Sequence, residues 1–192
     1  MRWLIGFLLL VLTPGLVRAE SPVIVRHSSD GTWELRVRGE RFPCAVGRAG
    51  VARPGEKREG DGMTPAGEFS FRGLYFRADK VDAASLPKAW HPIALHTDDG
   101  WCDESADPQY NRPVKLPYAA SHEDLWRSDD VYDLIVPLGY NDDPVVPGRG
   151  SAIFFHVALP GYAPTSGCVA VSKEHFLAIL RKVQPGDRIR IE

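Results

Sequence analysis

The 192-residue sequence lacks several features that would assign it to a large class of proteins. It has no run of lysine and arginine, which argues against a nucleic-acid partner or an anionic membrane surface. It has no internal repeat, no low-complexity tract and no linker dividing two domains, so a single globular domain is expected. The apolar run WLIGFLLLVL near the N-terminus is too short for a membrane-spanning helix, which needs about 20 residues.

The N-terminus is typical of a secretory signal peptide over residues 1–19. Arg2 supplies the positive region, the apolar run follows it, and Val17-Arg18-Ala19 provides a cleavage site. An uncleaved anchor is the alternative, and the lack of a cysteine close behind the run argues against a lipoprotein. Removing Arg2 and Arg18 from the 23 basic residues leaves 21 against 25 acidic ones. We expect residues 20–192 to form one exported domain without stable membrane insertion.

Cysteine is scarce, and its odd number has a consequence in an exported chain. The three cysteines are Cys44, Cys102 and Cys168. Pairing of Cys44 with Cys102 would leave Cys168 free, and the other two pairings remain open because sequence does not fix connectivity.

Turn-forming residues are abundant instead, with 18 glycines and 16 prolines, which favours a strand-rich fold. TWELRVR alternates as a half-buried strand does, and the apolar runs VYDLIVPLGY and SAIFFHVALP have the length of central strands. Ser172 begins the one convincing helix, which Pro185-Gly186 ends, whereas Ser121-x-x-Asp124 indicates a second, short helix. We predict a mainly β domain, a sandwich or barrel, with one main helix near the C-terminus.

The stretch PTSGCVAVS places Cys168 directly after a Ser-Gly turn, and His156 lies in the preceding apolar run. A thiol needs a base or a positive field to become a nucleophile, and histidine is the natural base near neutral pH. Neighbouring strands would bring both side chains to one end of a sheet. From residue types alone two interpretations stay open: a Cys168–His156 catalytic pair, or a small buried thiol and a core histidine.

Two motifs in order resemble a known family. IFFH…SGCVAVS resembles the His…Ser-x-Gly-Cys signature of the L,D-transpeptidase (YkuD-like) catalytic domain. GDGMTPAGEFSF resembles its second landmark, Thr-Pro-x-Gly-x-Phe, here Thr64, Pro65, Gly67 and Phe69. Further pieces, among them KREGDG and GRGSAIFFH, are similar to an exported proteobacterial branch. The resemblance runs from about Phe42 to the C-terminus.

The resemblance implies a periplasmic cysteine peptidyltransferase of cell-wall biogenesis and cell shape, acting on donor and acceptor stem peptides of peptidoglycan. Cys168 would attack the donor, His156 would be the general base, and the amides of Gly167 and Cys168 would form the oxyanion hole. No metal or cofactor is implied. The alternatives are an L,D-carboxypeptidase or amide hydrolase with the same pair, and a non-catalytic wall-binding module. A paired nucleophile would have a depressed pKa, alkylate quickly and be sensitive to peroxide.

The sequence departs from the commoner signature at three points. Ser166 stands where a second histidine is usual, Ala170 where an arginine is usual, and the spacing from His156 to Cys168 is shorter. These departures bear on the substrate pocket rather than on the pair.

Further site residues follow from position and chemistry. Ser166 is predicted to contact substrate or shape its turn, and Tyr140 and Asn141 to line the cleft. Among the loop cations Arg53, Lys57, Arg58 and Arg149, we expect Arg149 to hold a stem carboxylate. The orienting partner of His156 is a backbone carbonyl in the family, and Asn141, Asp142 and Asp143 are alternatives. HPIALHTDDGWCDE matches no common zinc spacing, so no metal is predicted.

Overall fold

The computed structural model describes residues 23–192, so the predicted signal peptide over residues 1–19 lies outside the described residues. This part of the chain is mainly β with a single α-helix near its C-terminal end, which confirms the predicted fold class. The helix, α1, is Lys173–Leu180, and three 3-10 turns cover Ala83–Ser85, Lys88–Trp90 and Pro160–Tyr162. The strands are β1 (Val23–His27), β2 (Trp33–Val37), β3 (Glu40–Pro43), β4 (Val51–Ala52), β5 (Thr64–Pro65), β6 (Gly67–Ser70), β7 (Tyr75–Phe76), β8 (Ile93–Ala94), β9 (Asp99–Cys102), β10 (Pro113–Lys115), β11 (His122–Asp124), β12 (Leu134–Pro137), β13 (Phe154–Val157), β14 (Val169–Val171) and β15 (Arg188–Ile191).

One five-stranded sheet joins the two ends of the described chain, with strand order β3-β2-β1-β15-β6. β1 and β2 form an antiparallel hairpin, with Asp30-Gly31 in the turn between them, and β1 pairs in parallel with β15. The alternation in β2 places Leu35 and Val37 in the core, where both are fully buried.

The second five-stranded sheet, of order β14-β13-β12-β7-β8, carries the two apolar runs as its inner strands β12 and β13. β12 pairs antiparallel with β13, and β13 pairs in parallel with β14. Phe155 and Val157 point to the main core shared with the first sheet, whereas Phe154 and Cys168 belong to a smaller apolar cluster. Because successive strand residues alternate, the two clusters lie on opposite faces of this sheet.

Helix α1 packs behind β13 and supports it from the core side. The Ser172 hydroxyl accepts a hydrogen bond from the His175 N–H at 3.2 Å, which confirms the predicted start of the helix. Phe176 stacks on Phe155 with 4.4 Å between ring centroids. The rear of the strand that carries His156 is therefore held by close packing.

A three-stranded sheet of order β10-β9-β11 forms part of the segment that covers the second face, residues 98–132, named here the cover segment. The short helix expected after Ser121 is wrong, because His122–Asp124 is a strand paired antiparallel with β9. That pairing supplies the backbone hydrogen bonds that a helix would otherwise provide. Leu125 and Tyr132 of the cover segment pack in one cluster with Cys168.

Within residues 23–192, no helix has the length and apolarity of a membrane span. Nor do three or more His, Cys, Asp or Glu side chains of that range gather in a way that would hold a metal ion.

Candidate active site

Cys168 and His156 come from neighbouring parallel strands. The register pairs Phe155 with Val169 and His156 with Ala170, so Cys168, one residue before β14, lies beside Phe154. Residues two apart on a strand share a face, and Cys168 and His156 therefore lie diagonally across one face of the sheet.

Both side chains line one cavity of about 510 Å³. Its walls come from three parts of the chain: the β13–β14 region, the cover segment, and the loop that begins at Arg48. Ser166, Gly167, Asp103, Glu123, Tyr132, Lys57 and Glu59 are also among the residues that line it. Segments distant in sequence thus enclose the thiol and the imidazole together.

The Cys168 thiol is buried, with 7% of the residue exposed. Sγ–H donates to the Ala152 carbonyl at 3.2 Å, and Sγ accepts from the Phe154 N–H at 3.3 Å. Burial raises the pKa of Cys168 to about 12, and the charge of Glu123 adds to the rise. This differs from the depressed pKa expected of a paired nucleophile, because the protein atoms packed around Cys168 disfavour its charged form.

His156 is 5% exposed, and its ring is fixed by the backbone. Nδ1 lies 2.8 Å from the Val157 carbonyl oxygen, and since a carbonyl only accepts, Nδ1 carries the proton and Nε2 presents a lone pair. Burial lowers the pKa of His156 to about 4, so the ring is neutral at pH 7. The orienting acceptor is the carbonyl of residue 157, and Asp142 instead pairs with Arg72 at 2.7 Å.

Tyr132 of the cover segment packs edge-on against the His156 ring at 5.4 Å between centroids. Its hydroxyl donates to Glu123 Oε1 at 2.6 Å. Tyr132 is 4% exposed, so its ring packs against the imidazole within the protein. The resting thiol and imidazole are not hydrogen-bonded to each other, a contact that often tightens only when substrate binds.

Gly167 occupies a conformation that other residues rarely adopt, with φ of +144°. A Cβ there would lie 2.9 Å from the Met63 carbonyl oxygen, so glycine is required for both reasons. The two predicted oxyanion donors differ. The Gly167 N–H donates to Thr165 Oγ1 at 3.1 Å, whereas the Cys168 N–H has no hydrogen-bond partner in residues 23–192. The Cys168 amide is the donor that is open.

Thr64 explains why the second landmark belongs to the same site. It is fully buried, and its hydroxyl accepts from the Gly47 N–H at 2.8 Å and donates to the Cys168 carbonyl at 3.3 Å. One hydroxyl thereby links the backbone at Gly47 to the backbone at Cys168. The sequence identified this residue by resemblance without indicating what it contacts.

The predicted substrate-binding residues divide into two groups. Ser166 lines the main cavity, but Tyr140, Asn141 and Arg149 do not; they line a separate groove of about 220 Å³. Asn141 is engaged in its own loop, bonding to Val146 and to the Gly150 carbonyl, and Arg149 donates to the Gly55 carbonyl at 2.5 Å. These three residues therefore lie on a second groove that shares Lys57 with the main cavity, and their role in binding substrate stays a prediction.

Several cavity residues were missed by the sequence analysis, chiefly Glu123, Tyr132 and Arg48. Each is separated from the signature by tens of residues, and none stands in a motif that indicates chemistry.

The three cysteines form no disulfide with one another: Cys44, Cys102 and Cys168 are all free and buried. Cys44 belongs to the main core and Cys102 to β9, so the proposed pairing of these two is absent from this structure.

Residues 23–191 match the family model of YkuD, the L,D-transpeptidase catalytic domain. The search of curated proteins gave no match.

Solved structures with related folds include an L,D-transpeptidase from Mycobacterium smegmatis, with 16% identity and a TM-score of 0.39. Another is an L,D-transpeptidase from Mycobacterium tuberculosis, with 13% identity and a TM-score of 0.41. Each alignment covers 90% of this chain and 59% or 58% of the solved chain. The chain therefore spans about three fifths of the length of the solved proteins it matches.

Proposed function

The chain belongs to the L,D-transpeptidase catalytic domain family, and we propose that it is an exported cysteine peptidyltransferase. It forms L,D-crosslinks between peptidoglycan stem peptides in the periplasm. Cys168 is the nucleophile and His156 the general base. The observation that supports this most is the shared cavity, in which a thiol and a neutral imidazole face the same space.

The electrostatics favour general-base catalysis over a resting thiolate–imidazolium pair. The raised pKa of Cys168 and the lowered pKa of His156 both favour the neutral forms at pH 7. Nε2 is then an unprotonated acceptor, which is the state a general base requires. The proton moves from sulfur to nitrogen as the bond to substrate forms.

In the first half-reaction Sγ attacks the carbonyl carbon of the L-centre of the donor's diamino acid, and Nε2 takes the thiol proton. The developing oxyanion is stabilised by the Cys168 N–H, and by the Gly167 N–H once that amide leaves Thr165. The C–N bond breaks, the leaving D-alanine amine takes the proton from the imidazolium, and a thioester remains on Cys168.

In the second half-reaction an amine of a second stem attacks the thioester carbonyl and gives its proton to Nε2. The C–S bond breaks, sulfur recovers the proton, and a new amide joins the two stems. Water in place of the amine would release a shortened stem, which is the carboxypeptidase alternative.

The test is intact mass spectrometry of the chain from residue 20, incubated with purified disaccharide-tetrapeptide. Cys168→Ala is the matched control. The expected result is an adduct equal to the donor minus D-alanine on the wild-type chain and none on the variant. Product masses then separate transfer, which adds a stem, from hydrolysis, which adds water.

A folded wild-type chain that forms neither adduct nor product would contradict the proposal. That result would favour the wall-binding module, which a sedimentation assay with purified peptidoglycan would then detect.

A further inference from the structure

Three cationic side chains line the main cavity, and they differ in whether a carboxylate neutralises them. Lys57 Nζ pairs with Asp61 at 2.7 Å, and the Arg127 guanidinium binds Asp129 through two hydrogen bonds of 2.9 and 2.6 Å. Arg48 has no ion pair within residues 23–192. The cavity therefore holds one cation whose charge is not neutralised by a neighbouring carboxylate.

Arg48 is held beside the turn that carries Cys168. Its backbone N–H donates to the Thr165 carbonyl at 2.8 Å, and Nη1 donates to Ser166 Oγ at 3.0 Å. Ser166 is two residues before Cys168, so the guanidinium lies within a side chain's reach of the nucleophile's loop.

Glycine at position 62 lets the arginine lie flat. A Cβ built on Gly62 would meet Arg48 Cζ at 2.9 Å and Nε at 3.0 Å. The side chain therefore rests against backbone on one side and against Ser166 on the other. Such support lowers the entropy lost when the guanidinium binds a ligand.

We propose that Arg48 is a specificity-determining residue that binds the terminal carboxylate of the donor stem, on the residue that leaves. This inference rests on the proposed function. The terminal carboxylate is one residue beyond the scissile carbonyl, a span of about 3.5 Å. A guanidinium matches a carboxylate in shape and charge, and Arg48 uses only one side-chain N–H on Ser166, so others remain for substrate.

Arg48 is a second candidate for the role predicted for Arg149, that of binding a stem carboxylate. Arg149 donates to the Gly55 carbonyl on the separate groove, whereas Arg48 lines the cavity with Cys168. Binding of the terminal carboxylate by Arg48 would make the enzyme selective for a donor stem whose last residue directly follows the scissile bond and carries a free carboxylate.

The experiment compares two donors, the disaccharide-tetrapeptide with a free terminal carboxylate and the same compound with a terminal amide. Acylation of Cys168 is followed at subsaturating donor to give kcat/KM for wild type, Arg48→Met and Arg48→Lys. The matched control is Arg53→Met, an exposed arginine that lies on the separate groove and not on the main cavity.

Charge-assisted hydrogen bonds predict that wild type prefers the free acid by about 10- to 100-fold. Arg48→Met should lose about that factor on the acid while changing the amide less than about twofold. Arg48→Lys should recover part of the loss, and Arg53→Met should match wild type on both donors.

Three results would overturn the assignment. Equal loss on both donors in Arg48→Met would indicate a structural role or another carboxylate of the stem. Equal kcat/KM values of wild type for both donors would indicate that the terminal carboxylate does not contribute to donor recognition. Either result leaves the proposed function intact, whereas a wild-type chain that is acylated by neither donor contradicts both proposals.

Discussion

The buried thiol makes a quantitative prediction about alkylation. The thiolate is the form that reacts, so its population at a given pH sets the rate. With the pKa of Cys168 raised to about 12, about one thiol in 10⁵ is ionised at pH 7. An ordinary cysteine with a pKa near 8.5 is ionised at about 3%, so Cys168 should react about 3,000-fold more slowly.

The assay treats the native chain with iodoacetamide from pH 6 to 9 and follows the Cys168 peptide by mass spectrometry. The expected rate rises about tenfold per pH unit without a plateau, because the titration midpoint lies above the range. Chain unfolded in urea is the control, in which all three cysteines should react at ordinary rates. A fast reaction at pH 7 with a plateau would refute the reasoning, since it would reveal a resting thiolate.

Three further predictions concern stability. The lowered pKa of His156, about 4 against 6.5, means that the unfolded chain binds its proton first, so stability is full above pH 6.5 and is lost as pH falls through 4. As pH is lowered over this range, the free energy of unfolding measured in urea should fall by about 3 kcal/mol less for His156→Gln than for wild type. Equal falls would contradict the burial argument. Thr64→Val leaves the buried Gly47 N–H unpaired and should cost about 1–3 kcal/mol in urea unfolding, whereas Thr64→Ser should cost less. Gly167→Ala meets a carbonyl oxygen at 2.9 Å and should lower the Tm more than Gly161→Ala, which has positive φ but open space; equal shifts would exclude the clash as the cause.

The strands and the helix could be predicted where a local pattern and the tertiary environment agree. The alternation in β2 and the apolar runs of β12 and β13 each reflect a face buried in the fold. The pattern after Ser121 failed because pairing with β9, twenty residues earlier, overrides a weak capping signal. Such long-range pairing leaves no periodic trace in three residues.

The residues of the candidate site likewise include some that sequence could identify and some that it could not. Cys168 and His156 could be identified because a signature fixes both and the parallel register of β13 and β14 brings them together. The hydrogen-bonded pair of Tyr132 and Glu123 could not be identified, because its position depends on how the cover segment folds over the sheet. Arg149 was predicted to hold a stem carboxylate from its place near the His156 strand; its guanidinium donates to the Gly55 carbonyl, a contact between distant loops that sequence does not indicate.

Burial also affects the chemistry of the pair. It destabilises both the thiolate and the imidazolium, so ionisation of either group alone is costly. In the proposed reaction the two charges arise together, as the proton passes to Nε2 and negative charge develops on the substrate oxygen near the Cys168 N–H. A thiol that stays protonated until that moment is also a poor target for peroxide, which reacts with thiolates. If Cys168 is the nucleophile, we therefore expect activity to be less sensitive to peroxide than the signature implies, and rapid inactivation by mild peroxide at pH 7 would contradict this.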